Sequence, residues 1–165
     1  MQKVLVSACL LGAAVRYHGG HARSDDPVLQ QWAREGRLVS VCPEVAGGLS
    51  TPRPAAELQR AAPDGSRLKV VVVSEHGRDV SDAFLAGGTS ALDLVRRNDI
   101  RVAVLKDGSP SCGSSTIHDG TFSGTRIAGE GVTAAMLRSA GVRVFSEHEI
   151  AAAAACVAAF DRELP

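Results

Sequence analysis

The 165-residue sequence lacks a net charge, because 18 Lys and Arg cancel 18 Asp and Glu. Without a net positive field nothing holds a polyanionic duplex or an acidic membrane surface, so no stable nucleic-acid complex is expected. It also lacks a long hydrophobic run. The longest uncharged apolar stretch, Ile150 to Phe160, is mostly alanine and too short to cross a bilayer. The amino terminus shows neither the basic start nor the small-residue cleavage site of a signal peptide, and a cytoplasmic protein with no membrane association is the expectation. Closely spaced cysteines are missing too. Cys9, Cys42, Cys112 and Cys156 stand 33, 70 and 44 positions apart in a chain able to fill a core without staples, which argues against a disulfide framework. Lysine is nearly absent, three against fifteen arginines, a bias that follows base composition and carries no functional weight.

What remains is enough chain, 45% hydrophobic and 22% charged, for one globular domain over 1–165. Short β-branched runs alternate with stretches whose apolar positions fall three and four apart, an α/β signature. Strands are predicted at Val4–Val6, Leu38–Val41, Lys69–Val73, Val102–Leu105 and Val142–Phe145. Ser24-Asp25-Asp26-Pro27 opens a helix that buries Val28, Leu29 and Trp32 and stops at Gly36. A second helix starts near Asp79 or Ser81, with Phe84, Leu85, Leu92 and Val95 on one side and Gly87-Gly88 hinting at close packing. A third runs from Val132 to Ala140 and ends at Gly141. The last, 147–162, opens on the capping box Ser146-Glu147-His148-Glu149 and packs on the domain. Two segments, Cys42–Pro54 and Asp107–Gly131, are too rich in glycine and proline for regular elements. In the second, Asp119-Gly120 between Thr116-Ile117 and Thr121-Phe122 reads as a small hairpin over the sheet.

In open parallel α/β sheets, ligands bind beyond the carboxyl ends of the strands. Cys9, Cys42 and Cys112 each follow a predicted strand, so parallel neighbours would bring three thiols to one rim. Cys156, inside the alanine-rich helix one turn before Phe160, is assigned to packing instead. Three thiolates leave several chemistries open. Structural zinc is disfavoured for want of a fourth ligand. A [4Fe-4S] cluster on three cysteines would keep one iron open as a Lewis acid, and a lone Cys112 nucleophile would leave Cys9 and Cys42 unexplained. A non-enzymatic iron–sulfur or zinc sensor is a further reading. Glu44, two positions after Cys42, is the candidate general acid/base. Ser109 and Ser111 flank Pro110 ahead of Cys112 and are placed to meet a cluster sulfur or a substrate carbonyl. Arg16, His21 and Arg53 are candidates for an anionic part of a substrate. Gly47-Gly48 lacks the spacing of a nucleotide fingerprint.

Five blocks carry a resemblance: Val-Ser-Ala-Cys-Leu-Leu-Gly at 6–12, Arg-Tyr-His-Gly-Gly at 16–20, Val-Cys-Pro-Glu-Val-Ala-Gly-Gly-Leu-Ser-Thr-Pro-Arg-Pro at 41–54, Ser-Pro-Ser-Cys-Gly at 109–113 and Asp-Gly-Thr-Phe-Ser-Gly at 119–124. Together they resemble the bacterial family long filed as a domain of unknown function, DUF 523, whose studied members are thiouracil desulfidases. The resemblance implies a Rossmann-like domain, three layers deep with a mostly parallel sheet. It also implies a [4Fe-4S] cluster on Cys9, Cys42 and Cys112, an acid at Glu44 and a catalytic serine best matched by Ser109. The implied reaction is non-redox removal of sulfur from a thiolated uracil or its nucleotide, such as 2-thiouracil or 4-thiouridine monophosphate. That is a nucleotide-salvage role, served by iron–sulfur assembly machinery. The cysteine-nucleophile hydrolase or sulfur-transfer protein using Cys112, and the sensor module, are the alternatives.

Overall fold

The computed structural model describes residues 1–59 and 70–163. In chain order its elements are β1 (Val4–Ser7), a 3-10 turn (Ala8–Leu11), α1 (Pro27–Arg34), β2 (Leu38–Val41), α2 (Pro43–Ala46), β3 (Ala56–Leu58) and β4 (Val72–Ser74). There follow α3 (Ser81–Arg97), β5 (Val102–Leu105), β6 (Thr116–His118), β7 (Arg126–Ala128), α4 (Val132–Ser139), β8 (Arg143–Ser146) and α5 (Ile150–Glu163).

Four short strands form a parallel sheet in the order β2-β1-β5-β8, with Val4 paired to both Leu38 and Val102. The central strands β1 and β5 are buried throughout, as expected of strands covered on both faces. Alternation along them sorts the core. Val4, Val6, Val102 and Val104 meet Leu29 and Trp32 of α1 and Ile150, Ala153 and Val157 of α5. Leu5, Ala103 and Leu105 face the other way, onto Ala91 and Val95 of α3 and Ala134 and Leu137 of α4. Helix, sheet and helix thus make the three layers of an α/β domain, and each buried aliphatic side chain stabilises it by roughly 1.5–3 kcal/mol.

Local signals set the helix ends. The Asp26 carboxylate accepts from the Val28 amide at 2.8 Å ahead of Pro27, and Gly36 leaves α1 at φ +68. Ser146 and Glu149 make a reciprocal cap: Glu149 Oε2 accepts from the Ser146 amide at 2.9 Å, and Ser146 Oγ accepts from the His148 amide at 3.3 Å. Regular α5 therefore begins at Ile150, three residues later than the predicted 147.

Several expectations are corrected. The apolar run ending at Val73 is not a strand of the parallel sheet: β4 pairs antiparallel with β3 in a separate two-stranded sheet, and Lys69 lies outside the described residues. Its hydrophobicity serves a satellite core instead, in which Val72, Phe84 and Val132 pack together. The hairpin pairs β6 with β7, so Thr121 and Phe122 belong to its loop and not to a strand. Cys42–Pro54 does contain a helical turn, because Pro43 occupies the first position of α2, where a missing N–H costs nothing. Leu85 is exposed on α3 and does not join the buried side that Phe84 and Val95 form.

Gly87 and Gly47 show why α3 carries glycine. A Cβ at Gly87 would lie 2.0 Å from the Pro43 carbonyl oxygen, and one at Gly47 would lie 1.9 Å from the Ala83 carbonyl oxygen. The α2 turn is thus docked backbone to backbone on α3. That contact places the residues on either side of Pro43, namely Cys42 and Glu44.

Candidate active site

The strand order reverses direction between β1 and β5: the chain leaves β1 towards β2 on one side and leaves β5 towards β8 on the other. Such a switch point opens a crevice at the carboxyl ends of the strands. A cleft of about 310 Å³ occupies it, lined by Cys9, Cys42 and Cys112 together with Glu44, Ser109, Arg16 and Arg53. Cys9 lies in the 3-10 turn directly after β1, Cys42 directly after β2 and Cys112 in the loop after β5. Adjacent parallel strands have brought together thiols that are far apart in sequence. Among the described residues, no three His, Cys, Asp or Glu side chains are grouped to hold a single metal ion.

Cys9 and Cys112 are buried, and Cys42 is half-buried with its sulfur 3.9 Å from the Val15 carbonyl. Burial pushes the Cys9 thiol up to about 11, against the opposing pull of Arg16 and Lys106. Burial pushes Cys112 up further still; a hydrogen bond from Ser7 works the other way, while Cys9, Glu44 and Cys42 add to the rise. Neither is a thiol poised to ionise unaided. Cys156 sits on α5, packed beside the core that Ile150 and Val157 build.

Glu44 follows Pro43 on α2 and is gripped by Arg53, whose Nε and Nη2 both reach Glu44 Oε2 at 2.7 Å. The Arg53 side chain is only 6% exposed, and its remaining donors go to the carbonyls of Ser50 and Val15 and to Thr51 Oγ1. Each guanidinium nitrogen thus donates within the protein, and Arg53 orients Glu44. Expected as a substrate contact, Arg53 lines the cleft with its donors engaged by the protein. Two more candidates lie elsewhere. Ser111 is buried, its hydroxyl 2.9 Å from Thr133 Oγ1 of α4, and His21 is exposed outside the cleft, its Nδ1 accepting from the Arg23 amide. Arg16 does line the cleft, with no side-chain carboxylate partner among the described residues.

Ser109 Oγ accepts from the amides of Ser111 at 3.1 Å and Cys112 at 3.0 Å, closing the turn that presents Cys112. Asp107 braces the whole loop: Oδ1 accepts from the amides of Ser114, Ser115 and Thr116, and Oδ2 from the Thr116 hydroxyl. Burial alone would raise this carboxyl, but those hydrogen bonds outweigh it and hold it at about 2. Behind it, Glu147 accepts from the Asp107 amide at 2.7 Å and pairs with Lys106, which keeps Glu147 below the usual carboxylate range despite its burial.

Sequence reasoning missed Lys106, Glu57, His118, Phe122 and Arg126, all of which line the cleft. Asp107, Lys106 and Ser7 stand inside or beside the quoted motifs, so proximity to them was an available signal. Glu57 and Arg126 come from short strands that no periodicity marked.

The comparisons with known proteins agree with this fold. The 2-thiouracil desulfurase family matches residues 4–149. An uncharacterized Bacillus subtilis protein, YbbK, is 41% identical over 148 residues, spanning 89% of this chain and 97% of that one. A solved structure of a [4Fe-4S]-dependent thiouracil desulfidase, TudS (DUF523Vcz), is 46% identical, covers 96% of this chain and 99% of its own, and superposes with a TM-score of 0.88. With that span and identity, this chain belongs to the 2-thiouracil desulfurase family.

Proposed function

We propose that this protein is a desulfidase that converts a thiolated uracil base or nucleotide, with water, to the uracil form and hydrogen sulfide, with no net transfer of electrons. The observation that carries the proposal is the convergence of Cys9, Cys42 and Cys112 in one cleft with Glu44 and Ser109. These thiols suit a [4Fe-4S] cluster. They are soft donors that arrive from three separate segments at one cleft, as thiolate ligation of an iron–sulfur cluster requires. Bound by three cysteines, the cluster would supply an iron free of protein ligands, a thiophilic Lewis acid that polarises the C–S bond.

The remaining tasks fall to the chain. Glu44 Oε2 is held by Arg53, which leaves Oε1 without a protein partner among the described residues. Oε1 takes the proton of the water that adds to the ring carbon and later returns it to the departing sulfur. Ser109 Oγ already accepts two amide protons, so its own O–H is the donor available to a ring carbonyl. Arg16 and Arg126 line the cleft with no side-chain carboxylate partner among the described residues, and would meet a phosphate should the nucleotide be the substrate. The Cys112 nucleophile reading is weaker, because a buried thiol with a raised pKa is a poor nucleophile.

Among the described residues no helix is long and apolar enough to cross a membrane. The proposal extends to a single working domain over 1–165 in the cytoplasm, loaded by iron–sulfur assembly machinery and without a stable nucleic-acid partner. The test is anaerobic reconstitution followed by sulfide release from 2-thiouracil, 4-thiouracil and 4-thiouridine monophosphate. A brown protein that releases sulfide from at least one supports the reading. A reconstituted brown protein inert towards all three would return it to the sensor alternative, and a colourless one to the Cys112 nucleophile.

A further inference from the structure

The strongest feature outside the thiols and Glu44 is the hairpin loop between β6 and β7. Phe122, at its tip, lines the cleft and is 39% exposed, yet it holds φ +57, a left-handed conformation that side chains other than glycine, asparagine and aspartate seldom adopt. An exposed phenylalanine in a strained backbone needs something to hold it there. Glu57 does so. This residue of β3 is buried, and its Oε2 accepts from the amides of Gly120 at 2.8 Å and Phe122 at 3.0 Å. Gln59, directly after β3, adds a hydrogen bond from Nε2 to the Gly120 carbonyl at 3.3 Å. A buried carboxylate directed at two loop amides is costly unless the loop stays in place.

A second ring is pinned on the same cleft. Tyr17, 44% exposed, lines it from the segment after the 3-10 turn, and Arg53 holds that segment by donating its amide to the Tyr17 carbonyl at 2.8 Å and Nη2 to the Val15 carbonyl at 2.9 Å. The chain has only six aromatic residues. Two of them stand exposed at one cleft, Phe122 held at its amide by the Glu57 carboxylate and Tyr17 held at its carbonyl by the Arg53 backbone amide.

We infer that Phe122, with Tyr17, forms the ring-stacking wall of the substrate site, and that Glu57 is the positioning residue that presents Phe122. Selectivity for a flat heterocycle then comes from these rings, apart from the chemistry at the thiols. The inference rests on the proposed desulfidase function for its substrate.

Two readouts test it: the steady-state kinetics of sulfide release by the reconstituted enzyme, and calorimetric binding of uridine 5′-monophosphate, which needs no turnover. Base stacking on an aromatic side chain typically costs roughly tenfold or more in affinity when the ring is removed. Phe122→Ala and Phe122→Leu should raise KM and weaken binding by about that factor while leaving kcat within about twofold, and Phe122→Tyr should restore both. Glu57→Ala should reproduce the loss, add nothing in the Phe122→Ala background, and be rescued by Glu57→Gln, whose amide oxygen still accepts the two N–H groups. Unchanged KM and binding in Phe122→Leu, or additive effects of Glu57→Ala and Phe122→Ala, would overturn it. If the wild type releases no sulfide but binding still falls in Phe122→Ala, the desulfidase reading fails and the stacking wall stands.

Discussion

Gly87 and Gly88 are neighbours on α3, and the structure assigns them opposite tolerances to the same added methyl group. Both should gain about 1 kcal/mol of helix propensity on replacement by alanine. At Gly88 the new Cβ would meet the Met136 sulfur at 2.4 Å, the flexible end of an adaptable side chain that can swing away. Gly88→Ala should therefore melt about 2–4 °C higher, with full activity. At Gly87 the new Cβ would stand 2.0 Å from the Pro43 carbonyl oxygen, and backbone cannot swing away. Contacts below 3.0 Å do not persist, so α2 must retreat by at least about 1 Å. Overpacking of that kind costs about 1–3 kcal/mol, which cancels or exceeds the gain in propensity. The larger effect is on the site. Pro43 lies between Cys42 and Glu44, and a displacement of about 1 Å in a catalytic group can cost on the order of 100-fold in rate. The assay is a thermal melt and sulfide release for each variant. A Gly87→Ala protein that melts higher and keeps wild-type turnover would refute the docking argument.

Three further outcomes are expected. Serine at Cys9, Cys42 or Cys112 should abolish the brown chromophore after anaerobic reconstitution, while Cys156→Ser, altered in half-buried packing beside Phe160, should keep colour and turnover. Glu44→Gln should keep the chromophore and lose at least about 100-fold in kcat, in line with loss of a general acid/base. Asp107 has a folded-state pKa of about 2 against an ordinary 3.8, so it contributes about 2 kcal/mol of stability that is fully present above pH 4 and lost as pH falls towards 2. Asp107→Asn should erase that portion of the acid dependence in pH-resolved denaturant melts, and an unchanged acid limb would remove Asp107 as its source.

Much of the α/β framework was legible because hydrophobic burial leaves a direct trace. The runs at Val4 and Val102 were readable as parallel strands because both their faces are covered, those at Leu38 and Val142 by their β-branched content and bounding turns, and Asp26, Gly36 and Gly141 mark helix ends by chemistry that acts within one turn. The convergence of the three thiols followed from that framework. What escaped was set by contacts without periodicity. Val72 and Val73 are as apolar as any core strand, and only the tertiary partner β3 shows that they belong to a side sheet. Arg53 was read as a phosphate ligand because a fixed arginine near a site is ambiguous until its acceptors are known. Ser111 and Ser109 flank the same proline, but the turn sends one hydroxyl towards α4 and the other to the Cys112 amide.

These observations divide the work of building the cleft between two kinds of force. The parallel sheet, held by apolar burial, sets where strands β1, β2 and β5 end, and so sets the positions from which the thiols depart. Beyond those ends the same structural device appears repeatedly: a carboxylate turned inward to accept loop amides. Asp107 gathers the amides of Ser114, Ser115 and Thr116; Glu147 takes that of Asp107; Glu57 takes those of Gly120 and Phe122. Arg53 does the converse, spending its donors on carbonyls and on Glu44. Hydrogen bonds to charged groups are directional and stronger than neutral ones, so they fix loops that packing alone would leave loose. A rim built this way is fixed by directional bonds, and it leaves the cleft to present Glu44 Oε1, the Ser109 hydroxyl and the exposed rings to a flat, polar substrate.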